Sequence, residues 1–274
     1  MTLAEWLHMA TARLRSAGIE EARLDSQLLA AHVLLTSRTF VITHPEQEIN
    51  ELAAEALLQR REAREPLPYI VGYREFFGRR FSVSPGVLIP RPETEHLVEA
   101  VLQLPIPENA AVVDVGTGSG VLAVTLAAER PRWRVSATDY SRTALQIAME
   151  NASKHRAILQ FVLMDGLEAW ASVPQFDLIV SNPPYIRRDV ELMPEVKKFE
   201  PHLALYGGES GLELYERWIP AAFRRLRPGG WLVVEIGYDQ GQAVQDLFTV
   251  ANFTNVNLLT DLAGNDRVVI GSRD

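Results

Sequence analysis

The sequence predicts an α/β protein in which a small helical domain precedes a doubly wound parallel sheet that ends in an antiparallel hairpin. Apolar residues recur with helical spacing over roughly the first 65 positions. From about position 94 onward, β-prone runs alternate with helical runs, which is typical of a parallel sheet with crossover helices. The last two β-prone runs lie too close together for a helix to fit between them, so they favour a hairpin at the sheet edge.

The N-terminal region, residues 1–72, is predicted to be helical. Its first helix follows Thr2, which forms a capping box with Glu5. The same apolar spacing returns over residues 24–35 and 50–64, before two prolines end the pattern. A domain of this size has little room for an internal active site. It either packs against the rest of the protein or recognises a partner, and we assign it to substrate recognition.

Residues 73–93 are predicted to link this domain to the rest of the chain through a hairpin, because two short β-prone runs flank Gly78. Residues 94–274 are then predicted to form the sheet domain. The predicted strands of that domain are residues 111–115, 134–139, 160–165, 176–182, 231–237, 257–261 and 267–272.

Composition limits the possible functions. The chain has 274 residues, of which 47% are hydrophobic and 23% charged, which is ordinary globular usage. Its net charge of -8 opposes loose binding to nucleic acid, because phosphate contacts need clustered lysine and arginine. Without cysteine it can form no disulfide, thiolate metal site, iron–sulfur cluster or cysteine nucleophile. We find no secretory leader and no apolar run of membrane-spanning length, and we expect a cytoplasmic protein.

A glycine-rich loop follows the first predicted strand of the sheet. Residues 114–120 read Asp-Val-Gly-Thr-Gly-Ser-Gly and run into a predicted helix, so backbone N–H groups can approach a ligand there. A dinucleotide fingerprint would need its third glycine at Val121, and this pattern resembles instead the DxGxGxG loop of methyltransferases. The loop residues that we assign to cofactor binding are Gly116, Thr117, Gly118, Ser119 and Gly120.

Acidic residues end the next two predicted strands. Asp139 ends the second, where a carboxylate can accept hydrogen bonds from both ribose hydroxyls of a nucleoside cofactor. The alternative, in which Asp139 caps the next helix, is weakened because Ser141 already offers a capping hydroxyl. Asp165 and Gly166 end the third strand, where class I methyltransferases commonly bind the adenine amino group with an acid. The alternative there is a simple turn.

The fourth predicted strand ends in the motif Asn182-Pro183-Pro184-Tyr185. Two prolines cannot continue a β-ladder, and the motif falls at the carboxyl ends of the strands, where such sheets bind ligands. The Asn182 side chain can accept one N–H of a planar NH2 group, while a carbonyl of the Pro-Pro turn accepts the other and Tyr185 covers the planar face. We therefore assign Asn182, Pro183 and Tyr185 to catalysis and all four residues to substrate binding.

These motifs together resemble the PrmC (HemK) family of glutamine methyltransferases, which modify peptide chain release factors of translation termination. The resemblance covers nearly the whole chain, and its most specific parts are the helical N-terminal domain and residues 89–95, Ile-Pro-Arg-Pro-Glu-Thr-Glu. It implies the class I methyltransferase fold, with S-adenosyl-L-methionine as methyl donor and S-adenosyl-L-homocysteine as product. It also implies that the acceptor is the side-chain amide nitrogen of the glutamine in a Gly-Gly-Gln (GGQ) motif.

The resemblance also implies roles for particular residues. Residues 116–120, Asp139 and Asn182 would contact the cofactor, and residues 182–185 the glutamine. Gly166 departs from the family pattern, since some relatives carry an aromatic ring at that position. Residues 89–95 act either as a proline-braced turn into the next helix or as a wall of the cofactor pocket.

Other functions stay open at this point. The Asn-Pro-Pro-Tyr motif also occurs in methyltransferases that act on the amino groups of adenine or cytosine in nucleic acid, although such an enzyme should carry basic, base-reading elements. A nucleotide-binding or NAD-dependent Rossmann protein is disfavoured by the glycine spacing. The histidines lie scattered without metal-ligand spacing, so we expect no metal. We expect release factors as partners, with no direct nucleic-acid substrate and no membrane contact.

Overall fold

The structure is a computed structural model that describes residues 1–167, 170 and 175–274. The described residues divide into two units. Met1–Tyr73 and Leu192–Phe199 form the first, which we call the helical unit, and Arg74–Glu191 and Glu200–Asp274 form the second, the sheet unit. Among the helices within the described ranges, none combines the length and apolar character needed to span a bilayer.

The helical unit packs short amphipathic helices around one apolar core. Its helices are α1 (Leu3–Ser16), α2 (Ala22–Val33), α3 (Arg38–Thr43), α4 (Glu51–Glu62), α5 (Leu67–Val71) and α9 (Pro194–Phe199). The predicted capping box is confirmed, since the hydroxyl of Thr2 accepts from the backbone N–H of Glu5 and the Glu5 carboxylate accepts in return. The largest fully buried side chains of this core are Leu3, Trp6, Leu14, Leu29 and Leu58.

The sequence did not predict α3 or α5. Helix α5 begins at the proline pair that ends the apolar pattern of the preceding helix, because proline is tolerated in the first turn of a helix as well as beyond its end. The distant segment Leu192–Phe199 belongs to the same unit. There the guanidinium of Arg64 donates to the carboxylate of Glu195 at 3.0 Å, which ties α9 to the helical unit.

The sheet unit is built on a seven-stranded sheet. Its strands are β3 (Ala111–Val115), β4 (Arg134–Asp139), β5 (Leu159–Leu163), β6 (Phe176–Ser181), β9 (Leu226–Glu235), β10 (Thr254–Thr260) and β11 (Asp266–Ser272). The strand order is β10-β11-β9-β6-β3-β4-β5. Strands β5, β4, β3, β6 and β9 pair in parallel, while β11 pairs antiparallel with β9 and with the edge strand β10. The predicted doubly wound sheet with a terminal antiparallel hairpin is therefore confirmed.

Helices cover both faces of the sheet. They are α6 (Glu95–Gln103), α7 (Val121–Glu129), α8 (Arg142–Lys154), α10 (Glu213–Arg225) and α11 (Gly241–Val250). Alternate residues of each strand divide between two apolar clusters, as the two-residue repeat of a strand requires. In β3, Val112 packs with α6 and α7, and Val113 packs with α10 and α11. The strands are thus buried on both faces.

Two smaller strand pairs flank the sheet. The predicted hairpin is present as β1 (Tyr73–Phe76) and β2 (Arg79–Ser82), and a parallel pair joins β7 (Ile186–Arg187) to β8 (Tyr206–Gly208). Strand β7 follows directly after the Asn-Pro-Pro-Tyr motif in the chain. Because β8 pairs with β7, the chain returns at β8 to the end of β6.

The topology places two loops side by side. From β3 the chain proceeds outward through β4 and β5, and it then returns to β6 on the other side of β3. The last residues of the two central strands, Val115 and Ser181, are paired in register. Ligands bind at such a switch point, outside the carboxyl ends of the strands. The glycine loop after β3 and the motif after β6 therefore share one edge of the sheet.

Candidate functional site

A cavity of about 590 Å³ lies in the sheet unit at the carboxyl ends of β3, β4 and β6. It brings together most of the residues that the sequence predicted. The predicted residues that line it are Gly116, Thr117, Gly118, Ser119, Asp139, Asp165, Gly166, Asn182 and Pro184. Gly120, Pro183 and Tyr185 are not among its lining residues.

The glycine loop presents its backbone to the cavity, but its glycines serve different purposes. A Cβ added at Gly118 would meet nothing within 4 Å, so this residue leaves open space for a ligand. Gly120 is the N-cap of α7, and a Cβ there would lie 3.0 Å from the Cβ of Ala148 in α8. Gly120 is therefore needed for close packing of two helices, which explains its absence from the cavity wall.

Asp139 is held at the end of β4 by backbone donors. Its Oδ2 accepts from the N–H of Gly118 at 2.9 Å, and its Oδ1 accepts from the N–H of Ser141 at 2.7 Å. Burial raises the pKa of Asp139, and the backbone hydrogen bonds oppose that shift. The side chain of Ser141 caps α8 by accepting from the N–H of Ala144. The carboxylate of Asp139 keeps lone pairs for a ligand, since each oxygen can accept more than one hydrogen bond.

A second acid, Asp114, lies behind the glycine loop. It is fully buried, and burial raises its pKa to about 7. Its Oδ2 accepts from the hydroxyl of Thr117 at 2.6 Å and from the N–H of Ala123 at 3.2 Å, whereas its Oδ1 has no hydrogen-bond partner among the described residues. The nearby charge of Asp139 also raises the pKa of Asp114. Asp114 therefore braces the glycine loop from the interior of the sheet unit.

The third strand end carries an unexpected aromatic ring. Asp165 forms an ion pair with Arg217 of α10. A Cβ at Gly166 would lie 2.5 Å from the indole Nε1 of Trp218, so only glycine leaves room for that ring. A Cβ at Gly116 would lie 3.7 Å from the same ring, which therefore reaches from the third strand end to the glycine loop. Trp218 lines the cavity and supplies from α10 an aromatic ring beside the position where the sequence has glycine.

The end of β6 is fixed by side chains from distant parts of the unit. The Nδ2 of Asn182 donates to the hydroxyl of Thr94 at 3.1 Å. The hydroxyl of Tyr185 lies 3.4 Å from the Oε1 of Glu235, and the Nε2 of Gln240 donates to the carbonyl of Tyr185 at 3.0 Å. Because its nitrogen is engaged by Thr94, Asn182 keeps its carbonyl oxygen as an acceptor for a ligand.

The two prolines of the motif lie in different surroundings. Pro183 lines a separate, small apolar space together with Tyr215 and Trp218, and only Pro184 reaches the large cavity. A Cβ at Gly207 of β8 would lie 2.5 Å from the carbonyl oxygen of Pro184. The backbone of β8 therefore packs directly against the motif, and glycine at this position sets how closely the two segments approach.

Glu235, the last residue of β9, is fully buried beneath the motif. Burial raises its pKa to about 7, and hydrogen bonds from Thr94 and Tyr185 and the charge of Arg267 oppose that shift. Its Oε1 lies 3.4 Å from the Tyr185 hydroxyl, whereas its Oε2 has no hydrogen-bond partner among the described residues. The same burial raises the pKa of the Tyr185 hydroxyl well above its usual value, so that hydroxyl stays protonated.

Residues 89–95 form one wall of the cavity. Pro90, Arg91 and Thr94 line it, and the short helical turn Pro92–Thr94 leads directly into α6. The carboxylate of Glu200, itself buried, accepts from Arg91 at 2.6 Å and from the N–H of Ile89 at 3.0 Å. The proline-braced turn and the cavity wall, which the sequence left as alternatives, are thus the same structure. In the part of the chain that the structure describes, no group of three or more acidic or histidine side chains could hold a metal ion.

Known proteins resemble the chain over its whole length. Residues 5–72 match the model of the PrmC N-terminal domain, and residues 93–198 match that of the methyltransferase small domain. A release factor glutamine methyltransferase of Koribacter versatilis is 43% identical, covering 100% of this chain and 99% of its own length. One from Cereibacter sphaeroides is 46% identical, covering 98% of each chain. The chain belongs to the release factor glutamine methyltransferase family.

Solved structures agree on the fold of this family member. The crystal structure of a methyltransferase from Pyrococcus furiosus aligns with a TM-score of 0.56 at 18% identity, covering 80% of this chain and 97% of that one. At that identity the likeness concerns the fold alone. The sheet unit therefore has the class I methyltransferase fold that the sequence predicted.

Some residues of the site had no predicted role. An acid inside the apolar run that ends β9 could have drawn attention to Glu235, because unpaired acids are seldom fully buried. Thr94 lies within residues 89–95, where the sequence pattern gives it no function of its own. The paired glycines at positions 207 and 208 could have indicated a close approach of two backbone segments. Trp218 carried no signal, because an aromatic residue on an amphipathic helix is most often part of the core. The residues without a predicted role are Thr94, Gly207, Trp218 and Glu235.

Proposed function

We propose that this family member transfers the methyl group of S-adenosyl-L-methionine to the side-chain amide nitrogen of the glutamine in the GGQ motif of peptide chain release factors. The observation that carries the proposal is the position of Asn182, which lines the same cavity as the glycine loop and whose nitrogen is engaged by Thr94, so that its carbonyl oxygen can accept from a ligand. Membership of the family supports the choice of acceptor.

We call the part of the cavity that is lined by the glycine loop, Asp139 and Asp165 the cofactor half. Its residues fit S-adenosyl-L-methionine, which supplies an electrophilic methyl group when bound. Gly118 leaves space against the backbone, and Asp139 offers lone pairs suited to two ribose hydroxyls. Asp165 lies where an acid would accept from the adenine amino group, and the ring of Trp218 lies beside it.

The part of the cavity at Asn182 and Pro184, which we call the acceptor half, suits a planar amide. An amide nitrogen is a poor nucleophile, because its lone pair is delocalised into the carbonyl group. Orientation can lower such a barrier by about 7 to 11 kcal/mol, and fixed acceptors stabilise positive charge that develops at the nitrogen. Asn182 would accept one N–H, and a carbonyl of the Pro183-Pro184 turn would accept the other. Tyr185 would support this geometry from behind.

A general base is not required in this scheme. The N–H proton of the amide becomes acidic once the nitrogen has acquired the methyl group, so it can leave to water afterwards. Neither Asp114 nor Glu235 is among the residues that line the cavity, and we therefore assign neither to proton removal. The residues at the cavity bind and orient the two reactants.

The helical unit is proposed to recognise the release factor away from the reacting amide. A tripeptide offers little surface to bury, whereas a separate unit can bind a large partner and raise the local concentration of its loop. Family membership and the match of residues 5–72 to the PrmC N-terminal domain support this role.

The test is transfer of a labelled methyl group to a purified release factor and to its variant with the GGQ glutamine changed to alanine. We expect label on the wild-type factor, at the glutamine side chain by mass spectrometry, and none on the alanine variant. Equal labelling of both factors would contradict the assignment of the acceptor. Efficient labelling of DNA or RNA, with none of the factor, would show that the nucleic-acid alternative is correct.

A further inference from the structure

A chain of three buried or half-buried side chains lies behind the acceptor half of the cavity. Asn182 donates through Nδ2 to the Thr94 hydroxyl at 3.1 Å, and the Thr94 hydroxyl lies close enough to the buried carboxylate of Glu235 to lower the pKa of that group. Thr94 and Glu235 are only 2% and 0% exposed, so water cannot replace either partner. The three residues come from β6, the turn before α6 and the end of β9, which the fold brings together.

The chemistry of the three groups fixes the direction of the chain. An ionised carboxylate can only accept hydrogen bonds, so the proton of the Thr94 hydroxyl must point toward Glu235. The oxygen of Thr94 can then only accept from Asn182, which selects the Nδ2 of the amide as the partner. An Asn side chain has its nitrogen and oxygen on opposite sides of the amide. Its Oδ1 is therefore turned away from Thr94.

We propose that Thr94 and Glu235 are positioning residues, which hold the side-chain amide of Asn182 with Oδ1 toward the acceptor nitrogen. The inference rests on the proposed function, in which Oδ1 accepts an N–H of the substrate amide. With the opposite orientation, Asn182 would present an NH2 group to the NH2 group of the substrate, and two donors would face each other. The positioning pair thus decides whether Asn182 attracts or repels its substrate.

Protonation of Glu235 would release this constraint. A carboxylic acid can donate to the oxygen of Thr94, whose own proton can then turn toward Asn182 and donate to the carbonyl oxygen of the flipped amide. The titratable and charged groups that face Glu235 are Tyr185, Tyr215, Arg267 and Glu93. Both tyrosine hydroxyls have strongly raised pKa values and arginine stays charged, so Glu235 is the buried group of this set that titrates near neutrality.

The kinetic test uses conservative variants. Thr94→Val keeps the shape and removes the hydroxyl that accepts from Asn182, and we expect kcat to fall about tenfold to a hundredfold with the dissociation constant for S-adenosyl-L-methionine nearly unchanged. Thr94→Ser restores the hydroxyl and should recover most of the turnover. Thermal unfolding of each variant checks that the fold is retained. A kcat within twofold of wild type in Thr94→Val would overturn the proposal.

The pH profile tests Glu235 separately. The wild-type kcat should rise with pH through about 7, where the carboxylate of Glu235 loses its proton. In Glu235→Gln this inflection should disappear, with a loss of about threefold to tenfold at pH 8, because a neutral amide is a weaker acceptor than a carboxylate. Asp114 titrates in the same range, so the informative quantity is the difference between wild type and variant. An unchanged inflection would refute the role of Glu235.

A third measurement does not depend on turnover. In protein labelled with ¹⁵N-asparagine, the side-chain NH2 signal of Asn182 is identified by its loss in Asn182→Ala. We expect this signal to shift with pH around 7 in the wild type, and to stay constant in Glu235→Gln and Thr94→Val. A signal that does not respond in the wild type overturns the inference. If the signal responds but no release factor is methylated, the proposed substrate fails and the positioning pair stands.

Discussion

The cofactor half and the acceptor half of the cavity are built in different ways. In the cofactor half, the carboxylate of Asp139 accepts from the backbone N–H of Gly118, between the ends of two adjacent strands. In the acceptor half, Asn182 depends on Thr94 and Glu235, which are remote from it and from each other in the chain. Backbone geometry sets the first half, and buried side chains with defined donor and acceptor roles set the second. Variants of the two halves should therefore fail in different ways.

The largest effect is expected from Asn182→Ala, which removes the acceptor at the centre of the proposed reaction. We expect kcat to fall by about two to three orders of magnitude, as for the loss of a fixed group that stabilises developing charge. The dissociation constant for S-adenosyl-L-methionine, measured by calorimetry, should change by less than about threefold. If the affinity for S-adenosyl-L-methionine fell as much as kcat, Asn182 would contribute to cofactor binding as strongly as to the reaction, and the two halves would not act independently.

The opposite pattern is expected from Asp139→Ala. Two hydrogen bonds to a carboxylate at roughly 1.5 kcal/mol each total about 3 kcal/mol, which weakens cofactor binding about a hundredfold. At saturating cofactor, kcat should stay within about tenfold of wild type. Asp246→Ala, which removes an exposed acid of α11, is the matched control and should leave both quantities unchanged. An unaltered dissociation constant in Asp139→Ala would contradict the ribose assignment.

A smaller loss is expected at Trp218, the ring that occupies the space beside Gly166. Trp218→Ala should weaken cofactor binding about tenfold, since a stacked aromatic contact contributes about 1 kcal/mol beyond the buried area. Trp218→Phe keeps a ring and should recover most of the affinity. Cofactor binding should also quench part of the tryptophan fluorescence of the wild type. A quench that persists in Trp218→Phe would show that another tryptophan reports on the cavity.

The difference between the halves also explains what could be predicted from the sequence. Strand periodicity and the alternation with helices are local features, so the doubly wound sheet and its edge hairpin were predicted correctly. The start of β9 was missed because Pro228 and Gly229 resemble a turn, although Leu226 already pairs with Phe176. The cofactor half followed from the same local features, since the glycine loop and Asp139 are marked by their positions at strand ends.

The acceptor half was predicted only in part. Asn182 was found because its motif interrupts a strand at the ligand-binding edge. Its dependence on Thr94 could not be inferred, because no spacing in the chain indicates that the turn before α6 meets the end of β6. In the same way, the burial of Pro183 and the contact of Tyr185 with Glu235 depend on tertiary packing.

The smallest effect is expected from Tyr185→Phe, which keeps the aromatic ring and removes the hydroxyl. The hydroxyl lies 3.4 Å from Glu235, a long hydrogen bond that is correspondingly weak. Phenylalanine keeps the ring, so any covering of the planar substrate is preserved. We expect kcat at pH 8 to fall by no more than about threefold, and the affinity for S-adenosyl-L-methionine to remain unchanged.

The pH dependence of Tyr185→Phe carries the sharper information. The Tyr185 hydroxyl lowers the pKa of Glu235 by donating to its carboxylate, so removing that donor raises the pKa above its value of about 7. Activity that requires the ionised carboxylate is lost as the pH falls through this pKa, and the variant should therefore lose activity at a higher pH than wild type. We expect the midpoint of the kcat profile to move upward by about half a pH unit. An unchanged midpoint would mean that the Tyr185 hydroxyl does not act on Glu235, and the role of Glu235 in the acceptor half would then not depend on this contact.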